Sequence, residues 1–173
     1  MGFLRIDGRW RNVATWLAVV LLLSYASVWA ESDKGNASPD FALRAVSGEN
    51  LRLSEFRGDI VVLGFWTRWC GDCREAMQAL NVLHDKYERA GLVTLGVDVD
   101  DTTEQAGAMA NSLGLKFPIL IDAQRHASNQ FELNKMPLIV LIDRDGKIRY
   151  RHTGFERGDD VIVAEQLRQL INE

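Results

Sequence analysis

The stretch Ile-Val-Val-Leu-Gly-Phe-Trp-Thr-Arg-Trp-Cys-Gly-Asp-Cys, residues 60–73, decides the fold of this 173-residue chain. Its first seven residues, 60–66, form an unbroken apolar run that is bounded by polar residues. Such a run is typical of a strand that is buried on both faces of a sheet. Apolar residues then recur at helical spacing, which predicts a helix from about Cys70 to Ala90 that ends at Gly91.

The chain has only two cysteines, Cys70 and Cys73, and both lie at the predicted junction between strand and helix. A separation of three residues is just under one helical turn, so the two sulfurs can meet as a disulfide. At the helix start, free N–H groups and the positive end of the helix dipole would stabilise a Cys70 thiolate. Cys73 lies one turn further in and would be more shielded. This asymmetry predicts a catalytic dithiol in which Cys70 attacks and Cys73 resolves.

Two simpler interpretations of the cysteine pair are weaker. A purely structural disulfide between residues so close in sequence closes almost no loop, so it would add little stability. A structural zinc site needs four ligands. The remaining candidate ligands, His84, His126 and His152, are scattered without metal-ligand spacing. We therefore expect no metal and no cofactor.

The rest of the chain alternates predicted strands and helices, which indicates an α/β fold with helices covering a central sheet. A hairpin is expected at about residues 41–53, and Ser54 is expected to cap one helical turn that ends at Gly58. Thr102 and Gln105 have the spacing of a capping box. Further strands are expected at 92–97, 118–121, 138–142 and 148–152, and further helices at 102–113, 127–133 and 161–171.

The N-terminus has the pattern of an export segment. Arg5, Arg9 and Arg11 precede an apolar stretch, 13–23, which smaller residues continue to Ala30. We expect residues 1–30 to be a signal peptide or an N-terminal membrane anchor, since 18 uncharged residues are close to the length that spans a bilayer. Residues 31–38 are then a polar tether, and 39–173 the globular domain.

The composition is that of a globular protein, with 47% hydrophobic and 25% charged residues. Beyond Ala30 the chain holds 17 of the 20 basic and 23 of the 24 acidic side chains, a net charge of −6. No basic patch is apparent in this part, so we do not expect nucleic acid as a partner.

Residues 65–74, Phe-Trp-Thr-Arg-Trp-Cys-Gly-Asp-Cys-Arg, resemble the active site of the thioredoxin superfamily. Further segments resemble its exported TlpA/ResA-type branch: Pro39-Asp40-Phe41, 53–58, 117–122 and the helix-plus-strand at about 102–122. The resemblance covers residues 38–171. It implies a thioredoxin-like fold, with a central mixed sheet flanked by helices, an N-terminal β-hairpin and a helix–strand insertion.

The same resemblance implies roles for single residues. Met136 and Pro137 match the position of a cis-proline that faces the dithiol and binds substrate. Apart from the resemblance, we expect Trp69 to form a shelf for the substrate. Asp72 stands where the family usually has proline, so it is a candidate for tuning the redox potential. Four further departures are Gly64 at the position of a buried acid, Ala76 and Gln78 in place of Glu and Pro, and Leu138 in place of Thr.

The resemblance also implies an activity. We expect a protein-disulfide reductase that acts on exported clients in cytochrome c maturation or copper-centre assembly. A membrane electron donor would restore its dithiol. The expected location is the periplasm, secreted or anchored to the inner membrane, and the expected oligomeric state is a monomer.

Two other functions compete with this interpretation. Thr67 and Cys70 have the Thr-x-x-Cys spacing of peroxiredoxin-type thiol peroxidases, but Leu63 occupies the place of their expected proline. A non-enzymatic Cu(I) chaperone would hold the soft metal with the two thiolates and His126. Direct turnover of peroxide would favour the first alternative, and retention of Cu(I) against a chelator would favour the second.

Overall fold

A computed structural model describes residues 35–100 and 102–173. The predicted signal peptide or anchor, and the tether up to residue 34, lie outside the described residues. Within the described part, no helix is long and apolar enough to cross a membrane.

Seven strands, four α-helices and two short 3-10 helices follow one another along the described chain. The strands are β1 (Ala42–Ala45), β2 (Asn50–Arg52), β3 (Ile60–Trp66), β4 (Leu92–Asp98), β5 (Ile119–Ile121), β6 (Leu138–Ile142) and β7 (Ile148–Thr153). The α-helices are α1 (Gly71–Tyr87), α2 (Thr103–Ser112), α3 (His126–Gln130) and α4 (Asp159–Ile171). The 3-10 helices are Leu53–Phe56 and Glu88–Ala90.

All seven strands form one mixed sheet in the order β2-β1-β5-β4-β3-β6-β7. The central strands β5, β4 and β3 are parallel, whereas β1, β2, β6 and β7 pair antiparallel with their neighbours. The carboxyl ends of β3, β4, β5 and β7 therefore lie at the same end of the sheet as the amino end of β6. The predicted mixed sheet with flanking helices and an N-terminal hairpin is confirmed.

The strand β3 separates the two halves of the core. Every one of its residues is buried, as the unbroken apolar run predicts. Ile60, Val62 and Trp66 face a cluster built with α1, α2 and α4. Val61, Leu63 and Phe65 face a second cluster that includes Phe41 and Phe131. The side chains of β3 alternate between these two clusters because successive residues of a strand point to opposite faces.

Of the two helix caps predicted from the sequence, one is confirmed and the other is wrong. The Thr102–Gln105 capping box is confirmed, and α2 begins directly after it. The prediction that Ser54 caps the turn after β2 is wrong, because the 3-10 helix begins at Leu53 and Ser54 lies inside it. The N-cap residue is Arg52, whose backbone N–H donates to the Glu55 carboxylate at 3.1 Å. The Asp40 carboxylate accepts two further hydrogen bonds, from the Ser54 backbone N–H at 2.9 Å and from its hydroxyl at 3.1 Å.

The last residues of the predicted tether pair with the turn between β6 and β7. Gly35 donates a backbone hydrogen bond to Ile148, Ser38 donates one to Gly146, and Ala37 forms a bridge with Lys147. Because β7 begins at the end of the sheet opposite the carboxyl end of β3, the chain enters the domain at that opposite end.

Candidate active site

Cys70 and Cys73 are joined by a disulfide, with their Cα atoms 5.3 Å apart. Cys70 is the N-cap residue of α1 and its backbone is extended, whereas Cys73 lies within the first turn of the helix. Cys70 is partly exposed and Cys73 is completely buried against the core. The two sulfurs therefore have the unequal access to solvent that the spacing predicted.

The buried strand β3 fixes the position of Cys70. After Trp66 the chain makes a turn in which the Cys70 N–H donates to the Thr67 carbonyl at 3.3 Å. The first N–H groups of α1 have no partner within the helix and point toward Cys70. The positive end of the α1 dipole therefore lies beside the sulfur that is expected to attack.

Trp69 is the most exposed aromatic side chain next to the dithiol. Its side chain is 74% exposed, although an indole of this size is usually covered. The Arg68 guanidinium lies over its ring, 4.2 Å from the ring centroid, which is the geometry of a cation–π contact. The indole remains largely exposed despite this contact.

Met136 and Pro137 reach the same end of the sheet. Their peptide bond is cis, as the family resemblance implied. Leu138 is the register partner of Phe65 in the antiparallel pair of β3 and β6, so Pro137 lies across from the end of β3 that leads to Cys70. Pro137 is buried, and its carbonyl accepts a hydrogen bond from Gly154 at 2.7 Å. Contact between the Met136 backbone and Cys70 stays a prediction.

A cleft of about 110 Å³ opens directly beside Cys70. Its lining residues come from the end of β3, the following turn, α1 and α2: Trp66, Thr67, Arg68, Trp69, Cys70, Gly71, Arg74, Met109 and Leu113. Sequence reasoning missed Met109 and Leu113. The sequence feature that could have identified them is their spacing of four residues, which places two apolar side chains on one side of a helix.

Gly64 on β3 stands at the position where the resemblance implies a buried acid, and its surroundings leave no room for a side chain. A Cβ atom added at Gly64 would lie 2.5 Å from Met77 Cε and 2.8 Å from Leu80 Cδ1, so α1 packs directly onto this glycine. Ala76, which stands where the resemblance implies a glutamate, is also completely buried in the same cluster. Asp72 is exposed in the first turn of α1 and does not line the cleft.

His126 lies away from the cleft beside Cys70. It faces Gln130 at 3.0 Å and lines a separate cavity of about 310 Å³ with Asp122 and Gln124. Within residues 35–100 and 102–173, no group of three or more His, Cys, Asp or Glu side chains is arranged to hold a metal ion. The three-ligand copper site is therefore not assembled among these residues.

Comparisons with known proteins agree with this geometry. Residues 34–151 match the model of the AhpC/TSA family. The chain is 33% identical over 148 residues to the thiol-disulfide oxidoreductase ResA of Geobacillus thermodenitrificans, a match that covers 84% of this chain and 85% of that protein.

Solved structures show the same likeness. A crystal structure from Chlorobium tepidum that carries the name thiol:disulfide interchange protein DsbE superposes with a TM-score of 0.76 at 31% identity, over 80% of this chain and 97% of that one. A solution structure from Bacteroides thetaiotaomicron, named as a protein disulfide isomerase, has the same TM-score at 28% identity, over 81% of this chain and 91% of that one.

Proposed function

This chain belongs to the AhpC/TSA family, and on that premise we propose that it is a thiol–disulfide oxidoreductase that reduces disulfides in exported client proteins. The observation that carries the proposal is the Cys70–Cys73 disulfide at the start of α1, with Cys70 partly exposed and Cys73 buried. A dithiol with one accessible sulfur can form a mixed disulfide with a client and then release it.

The reaction proceeds in two exchange steps. The Cys70 thiolate attacks one sulfur of a client disulfide, which forms a mixed disulfide and releases the other client sulfur as a thiolate that takes a proton from water. Cys73 then loses its proton and attacks the Cys70 sulfur, which releases the second client thiol. Two electrons and two protons pass from the Cys70–Cys73 dithiol to the client disulfide, and a dithiol donor must restore the reduced state.

In this proposal, Trp69, Met136 and Pro137 bind the client. The exposed Trp69 ring offers an apolar shelf next to Cys70. The backbone of Met136 lies at an open end of the sheet, where an extended client segment could pair with it much as an added strand does. Both features support recognition of a protein chain around the disulfide rather than of the disulfide alone.

Location and partners follow from the N-terminal segment. A signal peptide or anchor at residues 1–30 would export the domain to the periplasm, in soluble form or tethered to the inner membrane. The donor would then be a membrane protein with a dithiol, and the clients would be exported proteins such as apocytochromes c or copper-centre assembly proteins. We propose that the domain acts as a monomer, without a cofactor.

The test combines a redox titration with an assay of client reduction. The purified domain is equilibrated in dithiothreitol and glutathione buffers, and its potential is compared with that of disulfide-bonded clients. A potential below that of the clients, together with stoichiometric client reduction, supports the reductase. A potential above the clients would make the protein an oxidant. Rapid oxidation of the reduced protein by peroxide, with catalytic turnover and slow exchange with disulfides, would replace the proposal with the peroxidase.

A further inference from the structure

Two helices contribute to the cleft beside Cys70, together with the end of β3 and the turn that follows it. Gly71 and Arg74 lie about one turn apart on α1, whereas Met109 lies on α2 and Leu113 is the C-cap residue of that helix. The cleft volume of about 110 Å³ is well below the roughly 300 Å³ of the smallest pockets for drug-sized ligands. It has the size to accept one side chain of a client, next to the cysteine that Cys70 attacks.

The charged side chains that line the cleft are all positive. Arg68 and Arg74 line it, and none of the described lining residues is acidic. Arg74 is exposed and forms no hydrogen bond or ion pair with any described residue. The nearest acids in sequence are Glu75 and Asp72, one and two residues from Arg74 on α1, and neither forms an ion pair with the Arg74 guanidinium. Rotations of about 100° and 200° around the helix axis separate their side chains from that of Arg74.

We propose that this cleft selects client segments that carry an acidic residue beside the reactive cysteine, with Arg74 as the residue that determines the preference. The inference rests on the proposed function, since it concerns how that same site chooses its clients. The acidic side chain would meet the guanidinium of Arg74, and its methylene groups would lie against Met109 and Leu113. Arginine suits this role because its planar group can bind a carboxylate through two hydrogen bonds.

The test compares two disulfide-linked peptides that differ only in the residue next to the cysteine, glutamate in one and lysine in the other. For the wild-type protein we expect kcat/KM to be about fivefold higher for the glutamate peptide, which is the ratio that about 1 kcal/mol gives. The ratio should approach one as ionic strength rises from about 0.01 M to about 1 M, because salt screens an exposed charge pair.

Arg74→Glu should reverse the preference, and Arg74→Gln should abolish it. Taking the ratio of the two peptides within each variant cancels any change in the reactivity of Cys70. Arg89→Glu is the matched control, because Arg89 is also exposed and lies beyond the other end of α1, about 22 Å along the helix axis. This variant has the same change in net charge and should retain the wild-type ratio.

The outcomes separate the two proposals. If the wild-type protein reduces both peptides equally well, or prefers the lysine peptide, the inference is wrong and the reductase stands. If Arg89→Glu shifts the ratio as much as Arg74→Glu, the preference reflects net charge and the inference is also wrong. If the wild-type protein reduces neither peptide and no other client disulfide, the proposed function itself is contradicted.

Discussion

Two arginines at opposite ends of the sheet differ in their partners. At the dithiol end, where β3 finishes and α1 begins, Arg74 is exposed and makes no ion pair with a described residue. At the opposite end, Arg149 binds both oxygens of Glu173, at 2.6 and 2.9 Å, and also contacts Asp143 at 3.3 Å. Arg144 donates to the carbonyls of Leu170 and Ile171 at the end of α4.

The cavity at this opposite end is larger than the cleft beside Cys70, but the reactive cysteine lies at the cleft. The cavity at the opposite end measures about 200 Å³, but its charged lining is already paired: Asp143, Arg144, Asp145, Arg149 and Glu173. The smaller cleft combines the accessible cysteine with a cation that is open to a partner. The comparison shows that Arg149 is already paired within the fold, whereas the Arg74 guanidinium beside Cys70 is available to bind a partner.

The strongest test of this comparison is removal of each cysteine. Cys70→Ser should reduce turnover to the background rate, because the attacking thiolate is lost. Cys73→Ser should accumulate client proteins as mixed disulfides on Cys70, which non-reducing electrophoresis detects. Arg149→Ala, at the opposite end, is the control and should keep wild-type turnover. Trapping of clients by Cys70→Ser instead would reverse the roles assigned to the two cysteines.

The next effect concerns the exposed indole at the dithiol end. Trp69→Ala should lower kcat/KM for protein clients by about tenfold, the effect expected when an aromatic anchor of an interface is truncated. The free energy of unfolding should change by less than about 0.5 kcal/mol, because the side chain is 74% exposed. A large loss of stability, measured by urea unfolding, would mean that Trp69 supports the fold rather than the client.

The opposite end should respond in the reverse manner. Arg149→Ala should lower the free energy of unfolding by about 1 kcal/mol, because it releases two carboxylates that share one guanidinium. Lys147→Ala is a matched control, since its single ion pair with Asp145 is exposed and 3.7 Å long. Equal effects of the two variants in urea unfolding would show that the Arg149 network contributes no more than an ordinary surface pair.

The sequence alone predicted features that depend on residues close together in the chain. The apolar run at residues 60–66 has the same bounds as β3. The unequal exposure of Cys70 and Cys73 followed from the helical spacing. The cis peptide bond was expected only because the family resemblance marked its position.

Features that join distant parts of the chain were not predictable in this way. Ser54 looked like a cap, but Arg52 is the N-cap residue, and the Ser54 backbone N–H donates to Asp40, 14 residues earlier in sequence. The cleft needs α1 and α2 side by side, so Met109 and Leu113 acquire a role only once the sheet order is known. Propensity and spacing describe single elements, whereas packing of the whole sheet decides which elements meet.

A smaller effect of the Arg149–Glu173 pair should appear in the free energy of unfolding at acidic pH. The hydrogen bond from Arg149 holds the pKa of Glu173 below its ordinary value of 4.5. The unfolded chain therefore binds more protons, so this pair stabilises the fold above about pH 4.5 and the contribution is lost as pH falls through the lowered pKa.

Glu173→Gln should make the free energy of unfolding less dependent on pH between about pH 5 and pH 3, as urea titrations at several pH values would measure. The pKa of Asp40 is also low, because hydrogen bonds from Arg52 and Ser54 outweigh the effect of burial. Asp40 is unchanged in this variant, so the difference from wild type isolates Glu173. An identical pH dependence in the two proteins would contradict the assignment.

The smallest effect returns to the dithiol end. A carboxylate at Asp72, in the first turn of α1, repels the Cys70 thiolate and destabilises the reduced protein, so Asp72→Asn should raise the reduction potential. A charge at a helix end is worth about 0.3–1 kcal/mol, which corresponds to roughly 6–20 mV for a two-electron couple. Asp145→Asn removes the same charge at the opposite end and should leave the potential unchanged, as equilibration with glutathione would measure. A fall in potential for Asp72→Asn would mean that the account has the wrong sign. Equal shifts in both variants would mean that net charge, rather than the position beside Cys70, sets the potential.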